Sequence, residues 1–322
     1  MGDPAGIGPE VIAKAWMMRD AHGLPPFVVL GDPHAVEAVW TGPVARVRGI
    51  DEAVATFARA MPIMPIDGAG QITPGEPGRD GARCALQALE AAVGLVRSGA
   101  ARALVTGPVS KAQLYAAGFN HPGQTEFVAE SCGVPPARAV MMLAGPDLRV
   151  VPLTVHVPLA AVSGLLTAEL ILAKARVTAR ALVRDFGVAA PRLAFAGLNP
   201  HAGEDGALGR EEIEVMAPAL AQLRADGIDA RGPFAADTLF HPRARVGYDA
   251  VLCPYHDQAL IPLKTLSFDE GVNVTLGLPI VRTSPDHGTA FTIAGQDRAE
   301  PGATIAAIRM AAAMADRRAE GR

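Results

Sequence analysis

Short apolar runs alternate along this chain with longer segments rich in Ala and Leu whose apolar positions recur at helical spacing, and this alternation constrains the fold more than any other feature. Residues 27–30, 103–106, 140–143, 149–154, 192–196, 250–253 and 273–276 read as strands. Residues 81–98, 167–186, 210–225 and 303–315 read as the clearest helices. Strands separated by helices predict a mostly parallel sheet covered on both faces, an α/β fold. The 27 prolines and 34 glycines fall mainly between these elements, where turns need them.

With 322 residues, half of them hydrophobic (50%), the chain has enough apolar surface for one large α/β domain or two smaller ones. The net charge of -4 and the scattered Lys and Arg give no basic field for a phosphate backbone, so nucleic acid is not an expected partner. Apolar runs stay far below the roughly 20 residues of a spanning helix, which predicts no membrane segment. The opening MGDPAGIGPE lacks the basic and apolar regions of a signal peptide, and its sixth residue is Gly where myristoylation requires Ser or Thr. The expected location is therefore the cytosol. Cys84, Cys132 and Cys253 are odd in number and show no CxxC spacing, so they read as small core residues rather than a disulfide framework.

Open α/β sheets bind ligands beyond the carboxyl ends of their strands. Three histidines stand there: His156 after VVPLTV, His201 after LAFAGLNP and His256 after AVLCPY. Their separations match no local zinc signature, and a lone histidine in such a place is more often a loop or packing residue than a ligand. Their common position makes them a candidate joint site. Three imidazoles would leave a coordination position open and favour zinc or another first-row ion over magnesium. Asp257, Glu204 and Asp205 are placed to orient the imidazoles, or else are solvated loop acids and helix caps.

The segment ALVTGPVSK, ending at Lys111, reads as strand, turn and helix start, a place where backbone amides and a lysine suit an anion; it lacks the Walker A spacing. Lys264 and Arg282 can clamp a carboxylate or phosphate, although either one alone reads as a surface cation. GDPAGIGPE has the glycine density of a close approach to a ligand, or of a tight turn before a helix near Pro9. TSPDHGTA offers Asp286 and His287 to a ribose or adenine, or simply turns the chain. No GxGxxG follows a strand, so a nicotinamide dinucleotide would bind outside a Rossmann motif.

Taken in order, GDPAGIGPE (2–10), TGPVSK (106–111), GLNPHAGEDG (197–206), ADTLF (236–240), YHDQ (255–258) and GVNVTLGLPIVRTSPDHGTA (271–290) resemble the 4-hydroxythreonine-4-phosphate dehydrogenase (PdxA) family across essentially the whole chain. The resemblance implies an isocitrate/isopropylmalate dehydrogenase-like fold, with two α/β domains flanking a cleft. The expected boundaries are 1–120 plus 278–322 for a discontinuous NAD-side domain and 121–277 for a metal, substrate and dimerisation domain. It also implies a homodimer whose active site is completed across the interface.

By the same resemblance the metal ligands are His156, His201 and His256, and the substrate-binding residues are Gln124, Thr125, Lys264, Asn273 and Arg282. The dinucleotide, NAD or NADP, would be met by Gly6, Gly8, His287, Gly288 and Thr289. One divalent ion per subunit is implied, zinc first, with magnesium and cobalt as alternatives. The implied reaction oxidises a small phosphorylated substrate, 4-phosphohydroxy-L-threonine, to 2-amino-3-oxo-4-phosphooxybutanoate, which decarboxylates to 3-amino-1-hydroxyacetone phosphate in pyridoxal 5'-phosphate biosynthesis. Lys111 and Asp257 are the candidates for the general base.

Two departures stand out. Gln124 occupies the GQTEF motif where most relatives carry His, and an amide cannot carry charge or transfer a proton. Relatives also have a strand ahead of GDPAGIGPE; without it the sheet would lose ladder hydrogen bonds and buried apolar area. The alternatives are a dehydrogenase of 4-phospho-D-erythronate or 4-phospho-D-threonate, a phosphorylated-ligand binding protein without catalysis, and a metallohydrolase independent of NAD.

Overall fold

Apolar runs without alternation, such as Ala250–Cys253, form strands buried on both faces, as a sheet sandwiched between helices requires. In the computed structural model, which describes residues 1–66 and 68–321, the strands in chain order are β1 (Val29–Gly31), β2 (Val44–Arg46), β3 (Met61–Pro65), β4 (Ala103–Val105), β5 (Val140–Ala144), β6 (Arg149–Pro152), β7 (Arg192–Ala196), β8 (Asp229–Phe234), β9 (Ala250–Cys253), β10 (Val272–Leu276) and β11 (Val281–Pro285). The principal helices are α1 (Gly8–Met17), α2 (Arg79–Arg97), α3 (Lys111–Ala116), α4 (Gln124–Ser131), α5 (Ala168–Phe186), α6 (Ala217–Ala225), α7 (His256–Ser267) and α8 (Gly302–Glu320). Among the described residues no helix is long and apolar enough to cross a membrane. Cys84 and Cys253 are buried, whereas Cys132 is half-buried.

Helix boundaries follow local chemistry. Thr167 caps α5, its hydroxyl accepting from Leu170 N at 3.2 Å, and Gly187 ends the helix in the left-handed region at φ 68°. Between them Ile171, Ala175 and Leu182 point inward and are fully buried. The expected helix over 210–225 is interrupted: Glu212–Met216 forms a π turn before α6 begins.

The chain forms two compact units, the first from Met1–Val134 and Pro279–Ala312, the second from Pro135–Leu278 and the residues from Ala313 onward. The first unit runs past residue 120 and takes in α4, because Phe127 packs with the cluster of Ala82, Leu114 and Phe119. A break at 120 would expose that apolar surface. The end of α8 goes with the second unit, where Arg318 Nε and Nη2 donate to Asp185 at 2.7 and 3.0 Å.

In the first unit β3 lies between β1 and β2, all parallel, and packs Met61 and Ile63 with Val29 against Ala13 and Trp16 of α1. β4 pairs in parallel with β11. Residues 4–7 form a turn and bend ahead of α1, and the Met1 nitrogen donates to Leu30 O at 3.2 Å. In the second unit the strand order is β10-β5-β6-β9-β7-β8. The expectation of parallel pairing holds from β6 through β9, β7 and β8. It fails at β5, which is antiparallel to both β10 and β6. Residues 145–148 are too few for a crossover, so β5 and β6 can only form a hairpin.

The sequence pattern also passed over β2, β3, β8 and β11. Pro62 and Pro65 interrupt the apolar pattern of β3, and β8 is an edge strand that tolerates Gly232 and Pro233. β11, VRTSP, carries three polar residues yet is buried at every position; Arg282 and Thr283 find hydrogen-bond partners there, Thr283 Oγ1 donating to Ala307 O at 2.9 Å.

Candidate active site

Parallel order determines which loops meet. β6, β9 and β7 are consecutive neighbours in the second unit, so the segments leaving their carboxyl ends emerge side by side. Those segments carry His156, His256 and His201. The exits of β6 and β9 are tied together: Leu153 N donates to Cys253 O at 2.7 Å and Thr154 Oγ1 to Pro254 O at 2.7 Å. The imidazoles of His156 and His256 follow, with ring centroids 5.6 Å apart. The exits of β9 and β7 are joined by Gln258, whose Nε2 donates to Gly197 O at 2.9 Å.

Carboxylates orient two of the three rings. His256 Nδ1 donates to Asp257 Oδ1 at 2.8 Å and His201 Nδ1 to Glu204 Oε2 at 2.8 Å, which leaves each Nε2 as the nitrogen free to ligate. Asp205 makes no comparable contact with an imidazole. His201 is 69% exposed and begins a run of left-handed residues, with φ of 52°, 53°, 85°, 44° and 53° from His201 to Asp205. Only Gly203 adopts this region without strain, so the turn must be held from outside. Buried Glu212 does this by accepting from Asn199 N at 2.8 Å and Asn199 Nδ2 at 3.0 Å, while Glu211 accepts from the same amide at 2.8 Å.

The donor set fits a divalent ion in type and tautomer. The fit within one chain stops at two rings: among the described residues no three His, Cys, Asp or Glu side chains gather closely enough to enclose an ion. His156 and His256 come together; His201 is turned toward solvent. Elsewhere in this unit, half-buried Lys264 stands two turns along α7 from His256, its Nζ 5.9 Å from the centre of the Phe268 ring. Asn273 lies on β10 opposite Leu143 of β5, half-buried.

In the first unit the focus is Arg282 on β11, only 3% exposed. Its Nη2 donates to Thr106 Oγ1 at 2.7 Å and to Gln124 Oε1 at 3.3 Å, and its Nη1 to Thr125 Oγ1 at 3.3 Å. Gln124 Nε2 in turn donates to Gly107 O at 3.3 Å. Burial pushes the guanidinium down to about 10, with Glu126 opposing the shift by its negative charge. The expected substrate residues Gln124, Thr125 and Arg282 are thus in mutual contact. Thr106, which sequence reasoning quoted only as part of a motif, is their fourth member; its place directly after the β4 run was the available signal.

Lys111 is exposed and opens α3, a helix of six residues capped by Ser110, so the anion site expected from its free amides is partly satisfied internally. A β-carbon on Gly123, just ahead of α4, would lie 3.9 Å from Lys111 Nζ. Gly6 and Thr289 meet directly: Ile7 N donates to Thr289 O at 2.9 Å, and a β-carbon on Gly6 would stand 2.9 Å from that oxygen. Gly8 is required for a similar reason, the Met1 carbonyl. These glycines therefore let backbone meet backbone. His287 Nδ1 donates to Gly288 O at 3.0 Å, and His287 Nε2 is buried without a hydrogen-bond partner among the described residues. That nitrogen is a polar group a bound ligand could satisfy.

The comparisons with known proteins agree over the length of the chain. The family described as pyridoxal phosphate biosynthetic protein PdxA matches residues 24–311. A Zymomonas mobilis protein named 4-hydroxythreonine-4-phosphate dehydrogenase is 56% identical over 318 residues, covering 99% of this chain and 95% of that protein. An Erythrobacter litoralis protein of the same name is 56% identical over 326 residues, covering 99% and 96%. Among solved structures, the 4-hydroxythreonine-4-phosphate dehydrogenase of Klebsiella pneumoniae is 35% identical, with a TM-score of 0.86 over 98% of this chain and 96% of that one.

Proposed function

The chain belongs to the PdxA family of pyridoxal phosphate biosynthetic proteins, and from that membership we propose that it is a cytosolic dehydrogenase that oxidises 4-phosphohydroxy-L-threonine with NAD or NADP. The observation that carries the reading is the similarity along nearly the whole chain to relatives bearing the name of that activity. The product, 2-amino-3-oxo-4-phosphooxybutanoate, is a β-keto acid and loses carbon dioxide to give 3-amino-1-hydroxyacetone phosphate.

In the first unit Arg282 receives the phosphate, with Thr125 and Gln124 beside it. Thr106 holds the guanidinium by a hydrogen bond of 2.7 Å, so the cation is oriented before substrate arrives. Lys264 is assigned with Arg282 and Thr125 to the phosphate and carboxylate, and Asn273 to a polar support. His156, His201 and His256 would hold one divalent cation, with zinc favoured by three imidazoles and magnesium or cobalt as alternatives; bound there, it would acidify the substrate hydroxyl and polarise the ketone formed from it. Glu204 and Asp257 keep two of these rings in the ligating tautomer. Gly6, Gly8, His287, Gly288 and Thr289 would hold the nicotinamide cofactor, the two glycines by letting the backbone of that loop close up; bound there, it would supply the hydride acceptor. The hydroxyl proton passes to Asp257 or Lys111.

We further propose that a second copy of the chain completes the site. His156 and His256 pair within one chain while His201 stands outside any group of three, so His201 of the partner subunit would supply the third imidazole. Exposed apolar residues on and just after α7, Ile261 at 63% and Phe268 at 74%, support burial of this helix against another copy.

The test is NADH or NADPH formation, followed by absorbance, with metal-free and metal-restored protein. The panel holds 4-phosphohydroxy-L-threonine, 4-phospho-D-erythronate and 4-phospho-D-threonate. Turnover of the first alone is expected; turnover confined to the others would replace the substrate assignment, and product formed without any dinucleotide would make the protein a metallohydrolase.

A further inference from the structure

The segment from Thr289 to Ala299 follows His287 and Gly288 in the first unit, and its only regular element is the short turn Phe291–Ile293. Both of its ends are nevertheless fastened to α1. At the first end Ile7 N, at the start of that helix, donates to Thr289 O at 2.9 Å. At the other, two charged side chains hold Ala299 by both of its backbone groups: Ala299 N donates to Glu10 Oε1 at 2.8 Å, and Lys14 Nζ donates to Ala299 O at 2.8 Å. Lys14 Nζ also donates to Glu10 Oε1 at 3.0 Å and pairs with Asp297 Oδ1 at 3.0 Å. Residues four apart share one face of a helix, and a charged partner strengthens each of these hydrogen bonds. Between the ends, Ala290, Ile293 and Ala294 pack with Ile7 and Val11.

Stability alone does not account for this fastening. Glu10 is 3% exposed, and its Oε2 is buried without a hydrogen-bond partner among the described residues. An apolar side chain would fill the same place without that cost. The backbone is also held out of its relaxed form at two points, Ala290 at φ 43° and Asp297 at φ 58°. Each adjoins a fastening: Ala290 follows Thr289, and the Asp297 carboxylate rests on Lys14. Such strain persists only where the surroundings impose it, and it collects where the shape of a segment matters. Asp297 is 89% exposed, so its ion pair adds little and the weight falls on Ala299.

We propose that Glu10 and Lys14 are positioning residues for the nicotinamide dinucleotide, fixing the segment 289–299 on α1 so that Gly6 and Gly8 stay in register with His287, Gly288 and Thr289. The inference rests on the assignment of the cofactor to those five residues. Neither side chain contacts the cofactor in this role. With the fastening cut, the segment is ordered only on binding, and the cost of ordering it is subtracted from the affinity.

The experiment measures NADH and NADPH binding to the full chain by fluorescence, without substrate, beside hydrogen exchange of the ligand-free protein. Wild type is compared with Glu10→Gln/Lys14→Met, which removes both charges together so that neither is left buried alone, and with Lys14→Arg, which keeps a charged donor. In the double variant, exchange across 289–299 should quicken about tenfold while β4 and β11 exchange as in wild type, and dinucleotide affinity should fall about tenfold. Lys14→Arg should lie closer to wild type in both. Should the double variant fail to fold, Lys14→Gln, too short to reach Ala299 O, takes its place under the same expectations. Dinucleotide affinity within about twofold of wild type overturns the proposal. So does weakened binding with unchanged exchange, since the two side chains would then act on the cofactor directly. A wild type that binds neither dinucleotide overturns the cofactor assignment and this role together, whereas the first two outcomes overturn this role alone.

Discussion

Replacing Arg282 by methionine separates the cost of a buried cation from its use. The guanidinium is 3% exposed and burial lowers it to about 10, well below the ordinary arginine value. At about 1.4 kcal/mol per pH unit, keeping it charged costs the folded protein roughly 3 kcal/mol. Its hydrogen bonds to Thr106, Thr125 and Gln124 return a similar amount, about 1 kcal/mol or more each for a charged donor. Methionine fills much of the same volume, so the large cavity penalty of alanine is avoided. The prediction is that urea unfolding places Arg282→Met within about 2 kcal/mol of wild type, not at the 3–5 kcal/mol typical of breaking a buried ion pair. Binding should separate the two proteins. With 4-phosphohydroxy-L-threonine at a hundred times its dissociation constant, wild type should gain about 2.7 kcal/mol and the variant nothing measurable. A variant that loses more than 4 kcal/mol and is still stabilised by this ligand as wild type is would refute both the energetic balance and the role of Arg282.

Mixing two inactive variants tests where the third imidazole comes from. In a hybrid of His156→Ala and His201→Ala chains one of the two sites regains all three ligands if His201 crosses the interface, so elemental analysis should find about half the wild-type metal; no metal in the hybrid would assign the ligands to a single chain. Asp185, fully buried, accepts from Arg184 at 2.7 and 2.9 Å and from Arg318 at 2.7 and 3.0 Å. Asp185→Ala leaves both guanidinium groups without that partner and should cost about 3 kcal/mol by urea unfolding. Burial alone would raise this carboxyl, but the two arginines outweigh it and lower it from 3.8. The stability it contributes should therefore be present above about pH 4 and be lost as pH falls toward the lower folded value, a slope that Asp185→Ala should remove. Phe195 on β7 is fully buried, and Phe195→Ala should cost about 3–5 kcal/mol in the same assay.

Elements set by near neighbours were legible in the sequence. Apolar spacing located α2, α5 and α8, and Thr167 and Gly187 marked the ends of α5, because capping and helical period depend on residues within a turn of one another. The position of each histidine just beyond a strand was local in the same sense. The order of β6, β9 and β7 is not local. It is decided by packing among segments far apart in the chain, and it alone makes His156 and His256 neighbours while leaving His201 on the next loop. The same holds for β11, whose Arg, Thr and Ser resemble a polar loop until the pairing with β4 buries them against Thr106 and α4. The sequence by itself determined which residue types are available to meet an anion or a metal, and where the longer helices and seven of the strands lie. Only the tertiary structure decided which of those residues share a site, since a charge or an imidazole acts on whatever lies within a few ångströms, and sequence distance says little about that.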